Sequence, residues 1–157
     1  MNLQEEILKI KNELLDEFDK RVEALKVDEQ EFPRDGDEYW YMGVTGNILT
    51  STWEGFPSEK DMLKIGNIFK TKEQAEFAVE KLKVEAELRK FSRPFEEDEY
   101  NSFINLYMPD KTVAVDACMY WQKQGVIYFE SDKKAQQAIE SVGQERIKKY
   151  IFGVEAE

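Results

Sequence analysis

Apolar residues recur every three or four positions over the first 26 residues of the chain. This pattern predicts a long helix over residues 2–26, because a helix brings such positions to one face. The apolar positions are Leu3, Ile7, Ile10, Leu14, Phe18, Val22 and Leu25. Their mean spacing is about 3.7 residues, whereas a left-handed coiled coil repeats every ~3.5. The spacing therefore favours a straight helix lying on a partner surface over a long two-stranded zipper.

The rest of the chain alternates strand-like and helix-like patterns. Asp35-Gly36-Asp37 and Thr45-Gly46-Asn47 are turn signals, and Thr71 forms a capping box with Gln74. In chain order, the predicted elements are strands over 38–42, 48–53 and 62–69, a helix from Thr71 to about Phe91, strands over 102–107, 112–121 and 125–130, a helix from Ser131 through Gly143, and a short amphipathic segment over 144–154.

Two segments of the chain match at an offset of 60 residues. Phe69 aligns with Phe129 and Thr71 with Ser131, and the small apolar residues of the following helix recur in register. The sequence thus predicts an α+β fold in which the N-terminal helix is followed by two pseudo-repeated βββα units. The predicted segments are residues 1–30 for the helix, 31–91 for the first repeat, and 92–157 for the second repeat with a short C-terminal helix, all within one compact domain.

The helix that starts at Thr71 has apolar residues on two opposite faces, whereas its counterpart in the second repeat has Gln137 and Gln144 at the corresponding extra positions. A helix that is apolar on two faces needs two partners. We expect the N-terminal helix to be the second partner, either in the same chain or in a homodimer. The predicted docking or oligomer face comprises Leu3, Ile7, Ile10, Leu14, Phe18, Phe77, Val84, Leu88 and Phe91.

Composition narrows the classes of function. The chain has 157 residues with 22 basic and 33 acidic side chains, a net charge of −11, one cysteine and no histidine. The absence of histidine excludes Ser-His and Cys-His catalysis and most zinc sites. The chain has no run of 18 apolar residues and no basic-then-apolar start. We therefore expect a cytoplasmic protein with no membrane contact, no cofactor, no bound metal and no catalytic residues, in which Cys118 is structural.

Two acidic clusters are the candidate partner-binding sites. The first comprises Asp35, Asp37 and Glu38, and the second comprises Glu96, Glu97, Asp98 and Glu99. Neither has the spacing of a calcium loop, so a solvated turn is a better interpretation than a metal site. Such clusters repel phosphate backbones. The charge pattern therefore favours a protein partner with a basic surface over direct binding of nucleic acid.

Several motifs together resemble a group of small acidic phage and prophage proteins of Gram-positive bacteria. The motifs are GDEYWYM at 36–42, GNI at 46–48, Trp53, GNIFKTKEQAE at 66–76 and YFESDKKAQQAIE at 128–140. The group is largely uncharacterised and supplies no catalytic residues to transfer. What the resemblance implies is an accessory gene of a mobile element, whose products are often non-enzymatic inhibitors of host machinery or defence systems.

The leading hypothesis is thus a non-enzymatic phage or prophage accessory protein that binds another protein. Its most concrete form is an acidic, anti-CRISPR-like inhibitor of a host nucleic-acid-binding or defence complex. One alternative is a single-stranded nucleic-acid-binding protein that uses strand aromatics. Those aromatics are Trp40, Tyr41, Trp53, Tyr120 and Trp121, with Arg146, Lys148 and Lys149 as the basic tail. A second alternative is a carboxylate enzyme with a divalent metal.

Overall fold

The computed structural model describes residues 2–28 and 32–155. The ends of the predicted segments at residues 1, 29–31 and 156–157 lie outside the described residues. The described part is a mixed α+β structure, as predicted. Its helices are α1 (Leu3–Asp28), α2 (Pro57–Lys64), α3 (Lys72–Arg89), α4 (Asp132–Val142) and α5 (Gln144–Phe152), and its strands are β1 (Glu38–Met42), β2 (Ile48–Thr52), β3 (Asn101–Tyr107), β4 (Thr112–Cys118) and β5 (Tyr128–Phe129).

The N-terminal helix α1 forms where the apolar spacing predicts it. Asn2 and Glu5 make a capping box: the Asn2 side chain accepts from the Gln4 N–H at 2.6 Å, and the Glu5 carboxylate accepts from the Asn2 N–H at 3.0 Å. The predicted apolar position Leu25 lies on α1, but its side chain is outside the described ones. Local interactions therefore fix where this helix begins.

Two small antiparallel sheets are present in the described residues. One is the β1–β2 hairpin, and the other has the strand order β4-β3-β5. In the second sheet β3 pairs with β4 from Asn101↔Cys118 to Tyr107↔Thr112. The last strand is shorter than the predicted 125–130, since only Tyr128 and Phe129 pair with β3.

The predicted third strand over 62–69 is wrong. Helix α2 occupies residues Pro57–Lys64, and only Phe69 makes an isolated antiparallel bridge, to Trp40. Pro57 at the first helical position is pre-set for a helix start. The Glu59 carboxylate also accepts from the Phe56 N–H at the N-cap position. These helix-start signals outweigh the strand-like composition of the segment.

The structure does not confirm two βββα units, although the two halves share local features. In each half the first hairpin strand contacts the repeated phenylalanine. Ser102 of β3 pairs with Phe129, and Trp40 of β1 makes an isolated bridge to Phe69. The following helices are capped alike, by Thr71 Oγ1 accepting from Gln74 N–H and Ser131 Oγ from Lys134 N–H. The first half nevertheless contains α2 and a single bridge where a third strand is required.

Backbone contacts divide the chain into two compact units. Unit 1 comprises Met1–Trp40 and Thr50–Lys70, and unit 2 comprises Tyr41–Leu49 and Thr71–Glu157. The hairpin base thus belongs to unit 1 and its tip to unit 2. In unit 1 the buried aromatics Tyr39 and Trp53 meet edge to face with ring centroids 6.1 Å apart.

The core of unit 2 explains why α3 is apolar on two faces. Helix α3 packs against both α4 and α5. Its residues Val84 and Leu88 are buried in one cluster with Phe129, Ile139 and Ile147. The second apolar face of α3 is therefore covered largely within unit 2 itself.

Candidate functional site

The acidic segment Glu96–Glu99 of unit 2 is an exposed loop held by one buried amide. All four acidic side chains are exposed, and Asp98 adopts a left-handed backbone with φ of 61°. Beside them Asn101 is 0% exposed. Its Nδ2 donates to the carbonyls of Glu96 at 2.9 Å and Glu99 at 2.8 Å, and its Oδ1 accepts from the Glu96 N–H at 2.9 Å. The carboxylates therefore project from a fixed backbone.

Arg93 reinforces the same loop from one side. Its guanidinium donates to Asn101 Oδ1 at 2.9 Å, to the Pro94 carbonyl at 3.0 Å and to the Tyr100 carbonyl at 3.2 Å. It also lies 3.4 Å from a carboxylate oxygen of Glu99 and 3.8 Å from one of Glu96. Arg93 thus offsets part of the negative charge at the two ends of the cluster, while Glu97 and Asp98 lie between them.

The other predicted acidic cluster, Asp35, Asp37 and Glu38, belongs to unit 1. Asp37 accepts from the Arg34 N–H at 2.8 Å and so closes the turn, and Glu38 lies 3.3 Å from the Thr50 hydroxyl that donates to it. Asp35 is exposed. Asp37 is half-buried, whereas all four carboxylates at Glu96–Glu99 are exposed, which makes that loop the better candidate surface.

Unit 1 also contains a buried carboxylate, that of Glu59. The only sequence signal for it is its position three residues after Phe56. Glu59 is 4% exposed and accepts from the Tyr39 hydroxyl at 3.1 Å, the Glu54 N–H at 3.1 Å and the Phe56 N–H at 2.8 Å. Burial by itself raises the pKa of Glu59, but these hydrogen bonds outweigh it and leave the pKa below its ordinary value. This carboxylate ties α2 to the residues that precede it, which is a structural role.

The side chains of the predicted docking face differ in exposure between α1 and α3. On α1 its five members are exposed: Leu3, Ile7, Ile10, Leu14 and Phe18. On α3, Val84 and Leu88 are buried within unit 2 and offer no surface to another helix. Phe77 is partly exposed and packs on Tyr150 with ring centroids 5.2 Å apart, and Phe91 is half-buried against the core of unit 2. Docking of α1 onto α3 stays a prediction, and on α3 it now involves only Phe77 and Phe91.

The aromatic residues proposed for base stacking differ in burial. Tyr39 and Trp53 form the small core of unit 1, so Trp53 presents no stacking face. Tyr120 and Trp121 in unit 2 are 80% and 79% exposed. They precede the segment Gln122–Tyr128, which lines a cavity of about 600 Å³ together with Arg89 and Arg93. The cavity thus brings cationic groups next to the segment that directly follows the two exposed rings in the chain.

Other candidate chemistry is limited in the described part of the chain. The Cys118 thiol lies 3.9 Å from the carbonyl of Asn101, across the β3–β4 pair. Among residues 2–28 and 32–155, no group of three or more carboxylate or cysteine side chains is arranged to hold a metal ion. None of the helices described there is both long and apolar enough to cross a membrane.

Comparison with known proteins does not assign this arrangement. The chain matches no protein-family model, no curated protein and no solved structure. The resemblance to phage and prophage proteins of Gram-positive bacteria stays a prediction.

Proposed function

We propose that this chain is a non-enzymatic accessory protein of a phage or prophage that acts by binding another protein in the host cytoplasm. The proposed partner is a nucleic-acid-binding protein of the host or its defence system. In the most concrete form, the protein is an anti-CRISPR-like inhibitor whose carboxylates occupy the partner's basic groove.

The observation that carries the proposal is the loop Glu96–Glu99. Four consecutive acidic side chains are exposed on a backbone fixed by the buried Asn101 and by Arg93. A fixed array of carboxylates competes with phosphates for a basic groove without the entropy cost of ordering a flexible tail. The net charge of −11 adds long-range attraction to such a groove.

The test is affinity capture from a lysate of a Gram-positive bacterium, with mass spectrometry. The bait is the full chain and a loop variant, Glu96→Gln, Glu97→Gln, Asp98→Asn and Glu99→Gln. Asparagine at position 98 keeps a residue that tolerates the left-handed backbone. The matched control neutralises four exposed carboxylates elsewhere in unit 2, through Glu73→Gln, Glu130→Gln, Glu140→Gln and Glu145→Gln.

The proposal predicts that the wild type and the control both enrich a nucleic-acid-binding protein, which added nucleic acid displaces. The loop variant should lose it, although it has the same net charge as the control. Background proteins only, or equal capture by the loop variant, would contradict the proposal.

A second candidate, binding of single-stranded nucleic acid, is favoured by the cavity whose lining segment directly follows Tyr120 and Trp121 in the chain. Arg89, Arg93 and Lys123 are the cations lining it. Two exposed rings that directly precede a cation-lined segment suit stacking and backbone contact with a single strand.

This candidate predicts a rise in fluorescence anisotropy of a labelled oligothymidine that weakens steeply with salt. Trp121→Ala should abolish the rise, and Tyr107→Ala, an exposed tyrosine on β3, should not. A flat titration with the wild type eliminates the candidate.

A further inference from the structure

The apolar face of α1 is exposed from Leu3 to Phe18, and Val22 beyond it is half-buried. Seven of its apolar side chains are 49–73% exposed, and a shallow apolar groove of about 420 Å³ runs along the middle of the helix. They are Leu3, Ile7, Leu8, Ile10, Leu14, Leu15 and Phe18. An amphipathic helix in water gains most of its stability from covering such a face. We propose that this face is covered by α1 of a second copy of the chain, as two straight helices packed antiparallel rather than as a supercoiled zipper.

The charges inside the apolar face select the orientation. At about 100° per residue, Lys11 and Arg21 lie among the apolar side chains rather than on the acidic outer face. Lys11 lines the apolar groove together with Ile10 and Leu14. A parallel pair in register would place each of these two cations against its own copy, which is unfavourable. An antiparallel pair separates both like-charged contacts.

One antiparallel register suits the side chains best, with Leu14 on the twofold axis. Ile10 then lies opposite Phe18 of the second copy. Ile7 lies opposite the aliphatic stem of Arg21, whose charged end can extend to solvent. The large side chains of one helix thus meet medium-sized ones of the other, as packing of helix ridges into grooves requires.

One edge of the face is complementary in this register. A twofold axis between antiparallel helices leaves each edge beside the same edge of the second copy. On one edge Lys11 approaches Asp19. On the other edge Arg21 keeps its ion pair with Glu17 of its own helix, 2.8 Å away, and Glu13 lies 3.9 Å from Lys9.

The size of the pair sets the expected affinity. A helix of 26 residues is about 39 Å long. One pair of such helices buries less than the ~1,600 Å² of a standard interface. We therefore expect reversible association with a Kd in the micromolar range. This dimer relies on the apolar face and not on the acidic loop, so it fails or succeeds independently of the proposed partner.

The first test is sedimentation of the full chain from about 2 to about 200 µM, a range that brackets a micromolar Kd. The wild type should pass from monomer to dimer. Leu14→Glu should weaken association at least ~100-fold, because it places two carboxylates at the twofold axis. Glu13→Gln, on the outer face, is the matched control and should still dimerise. A wild type that stays monomeric at the highest concentration, or forms larger oligomers, would overturn the proposal.

The second test fixes the orientation by disulfide formation in a Cys118→Ser background. Leu14→Cys should cross-link two copies under mild oxidation, because the two thiols meet at the twofold axis. Ile7→Cys should not, because its thiol lies opposite Arg21, 14 residues or about 21 Å along the helix from its copy. Cross-linking of both variants would show a parallel pair and reject the antiparallel one. Cross-linking of neither rejects the interface.

Discussion

Helices α1 and α3 both carry large apolar side chains, but the two helices differ in how far these side chains are exposed. On α3, Val84 and Leu88 are 0% and 2% exposed, whereas Leu14 and Phe18 on α1 are 62% and 63% exposed. The apolar side chains of α3 lie on two faces. Val84 and Leu88 belong to a core cluster with residues of α4, α5 and the sheet, whereas Phe77 and Leu82 are 38% and 48% exposed. The apolar side chains of α1 lie on one stripe.

The contrast shows that different interactions stabilise the two helices. Packing fixes α3, since a core cluster surrounds it. Local interactions support α1: a capping box at Asn2 and Glu5 and ion pairs four residues apart. Such devices contribute only tenths of a kcal/mol to about one each. A helix built in this way leaves its apolar surface exposed, and identical substitutions on the two helices test that difference.

The largest difference is expected for leucine to alanine. Leu88→Ala removes a buried side chain from the core of unit 2 and should lower the free energy of unfolding by about 2–5 kcal/mol. Leu14→Ala removes an exposed side chain, and alanine is the better helix former. At low micromolar concentration it should change the free energy by no more than ~0.5 kcal/mol. Urea unfolding followed by circular dichroism measures both.

A volume-conserving substitution serves as the control for the buried site. Leu88→Met should cost less than ~1.5 kcal/mol, because it fills most of the space that alanine leaves. Equal losses for Leu88→Ala and Leu14→Ala would mean that α1 is covered within the monomer, and the distinction between the helices would fail.

The elements that could be predicted from sequence are those with strong local signals. The period of α1, the hydroxyl caps at Thr71 and Ser131, and the turn at Gly46 indicated helices and a hairpin close to where they form. The strand predicted over 62–69 is wrong because Pro57 and the Glu59 carboxylate start a helix that runs to Lys64. Position-specific signals outweighed composition there.

The candidate site was less predictable because its organisation depends on a side chain, Asn101, that is buried where two strands distant in sequence pair. The acidic run at Glu96–Glu99 is visible in the sequence. Asn101, whose side-chain amide holds this loop, lies at the start of a strand, and no sequence motif marks it. Its bond to the Cys118 carbonyl, 3.4 Å long, exists only once β3 and β4 pair. Burial of the second face of α3 likewise required knowing that α5 folds back on it.

A smaller difference is expected at the N-caps. Thr71→Ala removes the acceptor for the Gln74 N–H at the start of α3 and should cost about 1 kcal/mol of the stability of unit 2. Asn2→Ala removes the acceptor for the Gln4 N–H at the start of α1. Because α1 is supported locally, this change should reduce helix content without shifting the unfolding midpoint.

Circular dichroism at low temperature reports the helix content, and a urea titration reports the midpoint. Thr71→Ser keeps a hydroxyl acceptor and should restore most of the loss at α3. A shift of the midpoint by Asn2→Ala as large as that by Thr71→Ala would show that α1 folds cooperatively with the rest of the chain.

The smallest difference is expected for glutamate to glutamine. On α3, Glu87 accepts two hydrogen bonds from Arg146 of α5, at 2.9 and 3.0 Å, and both side chains are partly exposed. Glu87→Gln should lower the free energy of unfolding by up to ~1 kcal/mol at neutral pH, because the paired hydrogen bonds between the two charged groups are lost. The loss stays small because solvent screens these partly exposed charges. On α1, Glu17→Gln breaks an exposed pair with Arg21 and should cost no more than ~0.5 kcal/mol.

The pH dependence separates the α3 pair from a purely steric effect. The hydrogen bond from Arg146 lowers the pKa of Glu87 more than burial raises it, and the positive charge of Arg146 adds to the lowering. A carboxylate whose pKa is lowered by folding stabilises the protein above its unfolded pKa and loses that contribution as the pH falls through its folded pKa. The cost of Glu87→Gln should therefore be full at neutral pH and vanish in acid, below the ordinary glutamate range. A cost that stays constant across that range would mean that the α3–α5 contact is held by packing around Ile147 and not by this ion pair.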